Sequence, residues 1–556
     1  MNENVSFNLI DEPWILVRDM EGEMREVSLM ELFEQAPRIR RLANDLPTQD
    51  FAILRVLLAI LQRSISPTLD DDDDPAEVWG RLWAAPELPI AAIREYLDKW
   101  HGRFDLFDEE KPFMQVAGLR TERNEISSIT KIIADIPDGD ALFSLRVGKG
   151  AESLTYSEAA RWLVHVQAFD TSGIKSGTVG DPRVKGGKSY PIGTGWSGNL
   201  GGLYFEGATL SETILLNFIV RGTEDDELFS EGDLPSWERT AEDGNADGRC
   251  PTGRADLYTW QSRRVRLAFE DGKVVGVVLT NGDKLDSKNM HQYEPMTAWG
   301  RSRTQEKKLK VPLVYLPRTH QSDRALWRGL DSLFDRGSWQ GGSSVLRADL
   351  NNWLSYLVGN DGGCRLDRKN LLKIHAVGLE YGTQNSVVTN LVSDGLELSA
   401  FMLSEEGESL VNLAKECAAS TSDAIFVLGD LAANLCMASG GSGADEINGA
   451  KQGARAQAFF EIDSPFRLWF AGLGERSDVE IERDRWRRLA CSIIRRNAAG
   501  LLSDAGPSSA VGSPARVGSS GKNTWMTASR AEAIFNAALR KILPVEEDDK
   551  AKKGVC

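Results

Sequence analysis

The sequence predicts an α+β protein, with a large mixed α/β N-terminal domain over residues 1–400 and a C-terminal helical bundle of four-helix type over 401–556. Three observations predict it. A chain of 556 residues exceeds what one core ordinarily serves, so at least two domains are expected. Before about residue 400, short β-rich runs alternate with glycine-rich loops and isolated helices. Beyond it, helical periodicity takes over almost without interruption.

The opening Phe7–Val17 reads as an edge strand, because Pro13 cannot donate to a ladder. Ser28 is placed to cap a short helix through Phe33, and Thr48 a longer one through Arg63. Asp70–Asp74 is a run of aspartates lacking the spaced ligands and turn glycine of a calcium loop, and reads as a solvated loop. A helix is expected over Ser157–Phe169, then an acidic insert around Glu224–Asp247. Thr259–Phe269 and Lys273–Leu279 form a hairpin pattern about Glu270-Asp271-Gly272, where glycine suits a positive φ. Val311–Leu316 and Leu372–Tyr381 are strand-like. The helices expected last are Ser409–Ala419, Ser422–Ala438, Gly453–Leu473, Val479–Leu502 and Ala528–Leu543, with a mobile Gly/Ser/Pro-rich link over Asp504–Asn523.

Composition narrows the function. No apolar run approaches the roughly 18 residues of a membrane span, and Met1–Asn4 lacks a signal-peptide n-region, so cytoplasmic residence is expected. The six cysteines contain no C-x-x-C pair and the five histidines stand far apart, so neither metal nor cofactor is expected. Gly186-Gly187-Lys188-Ser189 resembles the tail of a phosphate-binding loop, but Pro182 stands where its first glycine is required. No nucleophile elbow or dinucleotide fingerprint appears, and no catalytic residue is assigned.

A net charge of -17 argues against a free-standing nucleic-acid binder. Two stretches run against it. Residues 143–203 hold 12 glycines and seven Lys/Arg against four acids, a composition that lets backbone N–H groups approach phosphates or base edges. Residues 299–330 carry eight Lys/Arg against two acids, which reads as an anion-facing patch.

Four segments in order carry a family resemblance: Phe7–Trp14, Lys111-Pro112-Phe113-Met114-Gln115, Leu257–Leu267 and Glu294-Pro295-Met296-Thr297-Ala298-Trp299. Together with the helical end, they make the chain resemble the CasA family, the large subunit of the type I-E CRISPR Cascade complex. The resemblance implies a non-catalytic subunit that inspects double-stranded target DNA for a protospacer-adjacent motif (PAM) from the minor groove. It also implies help in opening the duplex for R-loop formation, and recruitment of a helicase-nuclease. The implied partners are that DNA, the crRNA-containing Cascade subunits and the helicase-nuclease, with no membrane.

By the same resemblance, a glycine-containing loop maps to Phe169–Gly177, with Thr171, Ser172, Gly173 and Lys175 best placed. A basic finger maps to Arg301, followed by Arg303 and Lys307. A wedge maps to Gln384 and Asn385, and a loop docking near the crRNA end to Phe143. Two other classes stay open at this stage: a metal-dependent nuclease with dispersed ligands, and a structural subunit that never touches DNA.

Overall fold

In the computed structural model the chain divides into two units, Met1–Arg324 with Asp331–Asp367 and Leu372–Gly395, and Ala325–Leu330 with Arg368–Leu371 and Leu396–Cys556. The structure describes residues 5–70, 72–136, 151–220, 232–240, 249–517 and 522–545. The acidic insert expected at 224–247 falls mostly outside these residues.

At the centre of the first unit lies the helix Pro47–Ile65, buried on nearly every face. Its apolar residues drive that burial, yet Arg55 goes in with them, 1% exposed. The guanidinium donates to both carboxylate oxygens of Glu294, at 2.9 and 2.8 Å. Glu294 also accepts from Trp196 Nε1 at 2.6 Å and from the Met296 N–H at 3.0 Å. Removing one partner of such a pair strands a buried charge, at a cost of about 3–5 kcal/mol. Glu294→Ala is therefore expected to lower the urea midpoint sharply. The double variant Arg55→Met/Glu294→Met should lie nearer the wild type than either single change. A double variant as unstable as the singles would show that the pair is not what holds this helix.

Pro47 occupies the first helical turn, so Thr48 lies inside the helix and does not cap it as the sequence reading expects. Its hydroxyl meets His165 Nε2 at 2.9 Å instead. Ser28 does cap the helix Leu29–Gln35, accepting from the Glu31 N–H. Asp74, last of the aspartate run, caps Pro75–Ala84 in the same way.

The expected edge strand forms only over Ile15–Asp19, and it is central, paired antiparallel with Met24–Val27 and Ile39–Leu42. Pro13 escapes the ladder because the chain turns over Leu9–Glu12 before the strand begins. The hairpin expected near residue 271 pairs Arg263–Glu270 with Lys273–Asn281, and Asp271 (φ 49) and Gly272 (φ 75) make its turn. The strand expected at Val311–Leu316 shortens to Tyr315–Pro317, beside Trp299–Arg301. Leu371–Tyr381 lies between Gly202–Glu206 and a strand absent from the sequence reading, Val388–Ser399.

The second unit is helical, as expected. Glu408–Ala438 packs against Ala444–Ala471, Val479–Asp504 and Ala528–Ile542. The sequence reading breaks the first of these at Ser420-Thr421. The structure runs it through, with the Ser420 and Thr421 hydroxyls donating back to the Cys417 carbonyl and Ser422 to that of Ala418, so these side chains are satisfied within the helix. The described residues of the link form a short helix Gly506–Val511 and an antiparallel pair Ser513–Val517 and Lys522–Met526. Buried Ala515 and Met526 hold it down. By length and composition, Glu408–Ala438 and the segment Pro47–Thr68 could each cross a bilayer, but each is largely buried inside the protein.

Candidate nucleic-acid interface

The glycine-containing loop leaves the helix Tyr156–Phe169, whose start is fixed by a reciprocal capping box between Thr155 and Glu158. At its exit Asp170 is buried between two cations. Lys175 Nζ sits 2.6 Å from its Oδ2, and Arg263 Nε donates to the same oxygen. Burial pushes the Asp170 carboxyl up, but Lys175 and Arg263 outweigh it and hold it below the usual carboxylate range. Arg263, fully buried, spends its remaining donors on carbonyls of Ser262, Thr171 and Gly193 at 2.8–3.0 Å. The loop therefore stands on a closed base in which two cationic side chains share one carboxylate.

Above this base the loop meets the candidate wedge. The Ser172 N–H donates to the Asn385 carbonyl at 2.8 Å, and Tyr381 OH donates to the Phe169 carbonyl at 2.7 Å. Ser172 is 8% exposed, whereas Ile174 stands out at 58%. Gln384 and Asn385 are both exposed and both left-handed, with φ of 58 and 56. Asparagine tolerates that region, but glutamine is held there against its preference. Backbone bonds Asn385 N to Gly382 O (2.9 Å) and Gly382 N to Val387 O (2.9 Å) close the turn.

Behind both elements is a cavity of about 250 Å³, lined by Thr171, Gly173 and Lys175 on one side and Ser386–Val388 on the other. His165 also lines it; burial pushes its imidazole down to about 3, so it is neutral near pH 7.

The two glycines of the loop differ. A Cβ on Gly177 would lie 2.5 Å from Val184 Cγ1 and 2.9 Å from the Gly187 carbonyl carbon, so packing demands glycine there. A Cβ on Gly173 would meet nothing within 4 Å, and its φ lies outside the left-handed range. Nothing in the fold requires Gly173 to be glycine.

The basic finger is a separate piece, the strand Trp299–Arg301 running into the helix Arg303–Leu309. No hydrogen bond or ion pair among the described residues joins that helix to the loop or the turn. Arg301 is committed internally, with Nε and Nη2 on the Glu306 carboxylate (2.7 and 3.2 Å) and Nη1 on the Gly342 carbonyl (2.8 Å). Arg303 and Lys307 are exposed, and among the described residues neither reaches ion-pair distance of a carboxylate. The exposed charge of the finger thus lies on these two together with Lys308 of the same helix.

Residues 8–496 match the model of the family described as CRISPR-associated protein Cse1. The chain belongs to the CasA/Cse1 family. The crystal structure of Thermobifida fusca Cse1 is similar at 40% identity, with a TM-score of 0.86 over 97% of this chain and 98% of that one. Cse1 from Acidimicrobium ferrooxidans is similar at 27% identity, with a TM-score of 0.79 over 98% of each chain. A curated CasA/Cse1 protein of Thermus thermophilus is 28% identical over 432 residues, 74% of this chain and 78% of that protein. A chain in a solved assembly described as a CRISPR RNA-guided surveillance complex shares the fold at 15% identity, with a TM-score of 0.67 over 97% of this chain and 99% of that one.

Phe143 lies outside the described residues. Asp170 and Arg263 position the loop of this Cse1-family chain, roles the sequence analysis does not assign; Arg263 opens a strand that also carries Arg264, Arg266 and Glu270, so no apolar run singles it out. Among the described residues no group of three His, Cys, Asp or Glu side chains comes together.

Proposed function

We propose that this CasA/Cse1 protein is the large subunit of an RNA-guided surveillance complex that acts in the cytoplasm. It inspects double-stranded DNA for the PAM, helps open the duplex and recruits a helicase-nuclease, doing no chemistry itself. The observation that carries this reading is the 2.8 Å bond between Ser172 and Asn385, which makes the glycine-containing loop and the turn one surface. A loop offering a bare backbone at Gly173 suits a groove floor. An exposed polar turn held in a strained conformation suits insertion beside it. The minor groove distinguishes chiefly A·T from G·C, so such a reader accepts several related PAM sequences. Guide pairing supplies the remaining specificity, as in the single-protein effector with the same division of labour.

Co-expression with the neighbouring CRISPR subunits and a guide RNA tests the reading. The complex containing this chain should bind PAM-bearing duplex, and the complex lacking it should not. Arg303→Ala and Lys307→Ala should each flatten the log–log salt slope by about 0.9 if each neutralises one phosphate. Equal duplex binding with and without the chain would favour a structural subunit. Magnesium- or manganese-dependent cleavage by the chain alone, abolished by a point substitution, would favour a nuclease.

A further inference from the structure

We propose that the two-glycine turn Lys185–Lys188 is a clamp for the phosphate backbone of duplex DNA, gripping it next to the base pairs that the 171–173 loop faces. The proposal rests on the DNA-inspecting reading above and adds a second, sequence-independent contact to it.

Lys185 and Lys188 exchange both backbone hydrogen bonds, at 3.0 and 3.2 Å, across Gly186 (φ 58) and Gly187 (φ 70). This is a two-residue hairpin of type I′, which requires positive φ at both central positions and hence glycine. In such a turn the flanking residues stand directly opposite each other on one face. Like charges so placed repel, an unfavourable arrangement unless an anion lies over both.

The base of the arm is rigid. Arg183 donates to both oxygens of Asp181 (3.0 and 2.9 Å) and to the carbonyls of Asn281 and Gly282 (2.9 and 3.1 Å). Asn281 Nδ2 in turn donates to Ser189 Oγ at 3.1 Å and the Tyr190 carbonyl at 2.9 Å. The tip is the opposite in every respect. Lys185 and Lys188 are exposed, and among the described residues neither lies within ion-pair distance of a carboxylate. The N–H groups of Gly186 and Gly187 donate to nothing among the described residues, and the space beside both glycines is open.

The pattern of neutralisation decides what the tip is for. Lys175 and Arg263 are paired with Asp170, and Arg183 with Asp181, yet the two lysines at the tip are left bare in a chain of charge -17. The arm is also joined to the loop. Lys175 and Ser176 pair with Ser189 and Lys188, and the Gly177 N–H donates to the Gly187 carbonyl at 2.9 Å. A duplex lying on Gly173 therefore passes the tip. The open tip has no walls to enclose a small anion, whereas a continuous backbone offers phosphates to both ammonium groups and to the free N–H groups together.

The test uses the assembled complex carrying Lys185→Gln/Lys188→Gln, with duplex affinity measured across a potassium chloride series. The log–log slope should fall by about 1.8, two phosphates at about 0.9 each, while the preference for PAM-bearing over PAM-free duplex stays unchanged. Lys185→Arg/Lys188→Arg should restore the slope. Gly173→Asp, run in parallel, monitors the underlying reading. An unchanged slope in the glutamine variant, with PAM preference lost in Gly173→Asp, overturns the clamp and leaves the reading standing. Unchanged DNA binding in both variants overturns the two together. Loss of co-purifying guide RNA from the glutamine variant would mean that the turn grips RNA, and would also overturn the clamp.

Discussion

A complex carrying Gln384→Gly/Asn385→Gly should still prefer PAM-bearing duplex but open it at least a hundredfold more slowly. Glycine is the informative replacement because both positions sit at positive φ, where it keeps the turn without strain. Alanine would remove the side chains and unsettle the backbone at once. The bond from Ser172 to Asn385 is made by the main chain, so it survives the substitution and leaves the loop in place. What disappears is the pair of exposed amide side chains at the tip. Unstacking a base step costs a few kcal/mol, and each 1.4 kcal/mol is a factor of ten in rate or equilibrium. Losing about 3 kcal/mol of help therefore gives the hundredfold delay. Fluorescence of a 2-aminopurine beside the PAM, followed by rapid mixing, reads the opening directly. A target already melted at that position should restore the rate, because the missing work has been done beforehand. Normal opening of intact duplex by the glycine variant would remove Gln384 and Asn385 from the wedge role.

What could be read in the sequence, and what could not, divides along a physical line. The four segments that carried the family resemblance prove to be internal anchors. Asn8 donates to the His101 carbonyl, Gln115 accepts from the Leu267 N–H, Arg263 closes the base of the loop, and Glu294 gathers Arg55 and Trp196. A buried polar group needs a specific partner in a specific place, so these residues leave a pattern in the sequence. The long helices of the second unit were legible for a similar reason, because their apolar faces recur at helical spacing.

Contact surfaces impose no such pattern. Lys175 and Arg301 both read as free cations in a charge count. Each is matched by a carboxylate five residues away, Asp170 and Glu306, which only the fold brings into reach. The coupling of Ser172 to Asn385 joins residues more than 200 apart and is made by backbone atoms, which no side-chain pattern records. The helix and strand pair near residue 510 leave no such pattern, because a Ser/Gly/Pro-rich composition gives them few apolar positions and their anchors, Ala515 and Met526, stand singly.

The same distinction gives the second large expectation, at Gly173. Of the two glycines in the loop, Gly177 is fixed by Val184 and Gly187, whereas a side chain at Gly173 would enter empty space. Gly177→Ala should therefore lower the thermal midpoint of the chain, since its Cβ cannot be placed without moving backbone at Gly187. Gly173→Asp should leave that midpoint unchanged, because neither φ nor packing opposes it. Its effect should fall on DNA alone. An aspartate there sets a negative charge and added bulk where the loop approaches the groove, and the cations at the base of the loop, Lys175 and Arg263, are already engaged by Asp170. A misread base pair costs about 1–3 kcal/mol, so loss of one position reduces PAM discrimination by roughly fivefold to 150-fold. Gly173→Ala, smaller and uncharged, should lie between the two. Competition binding of PAM-bearing against PAM-free duplex by the assembled complex measures the ratio, and a thermal melt of the free chain measures the fold. A Gly173→Asp complex that discriminates as well as the wild type, with an unchanged melt, would show that the loop does not read the PAM.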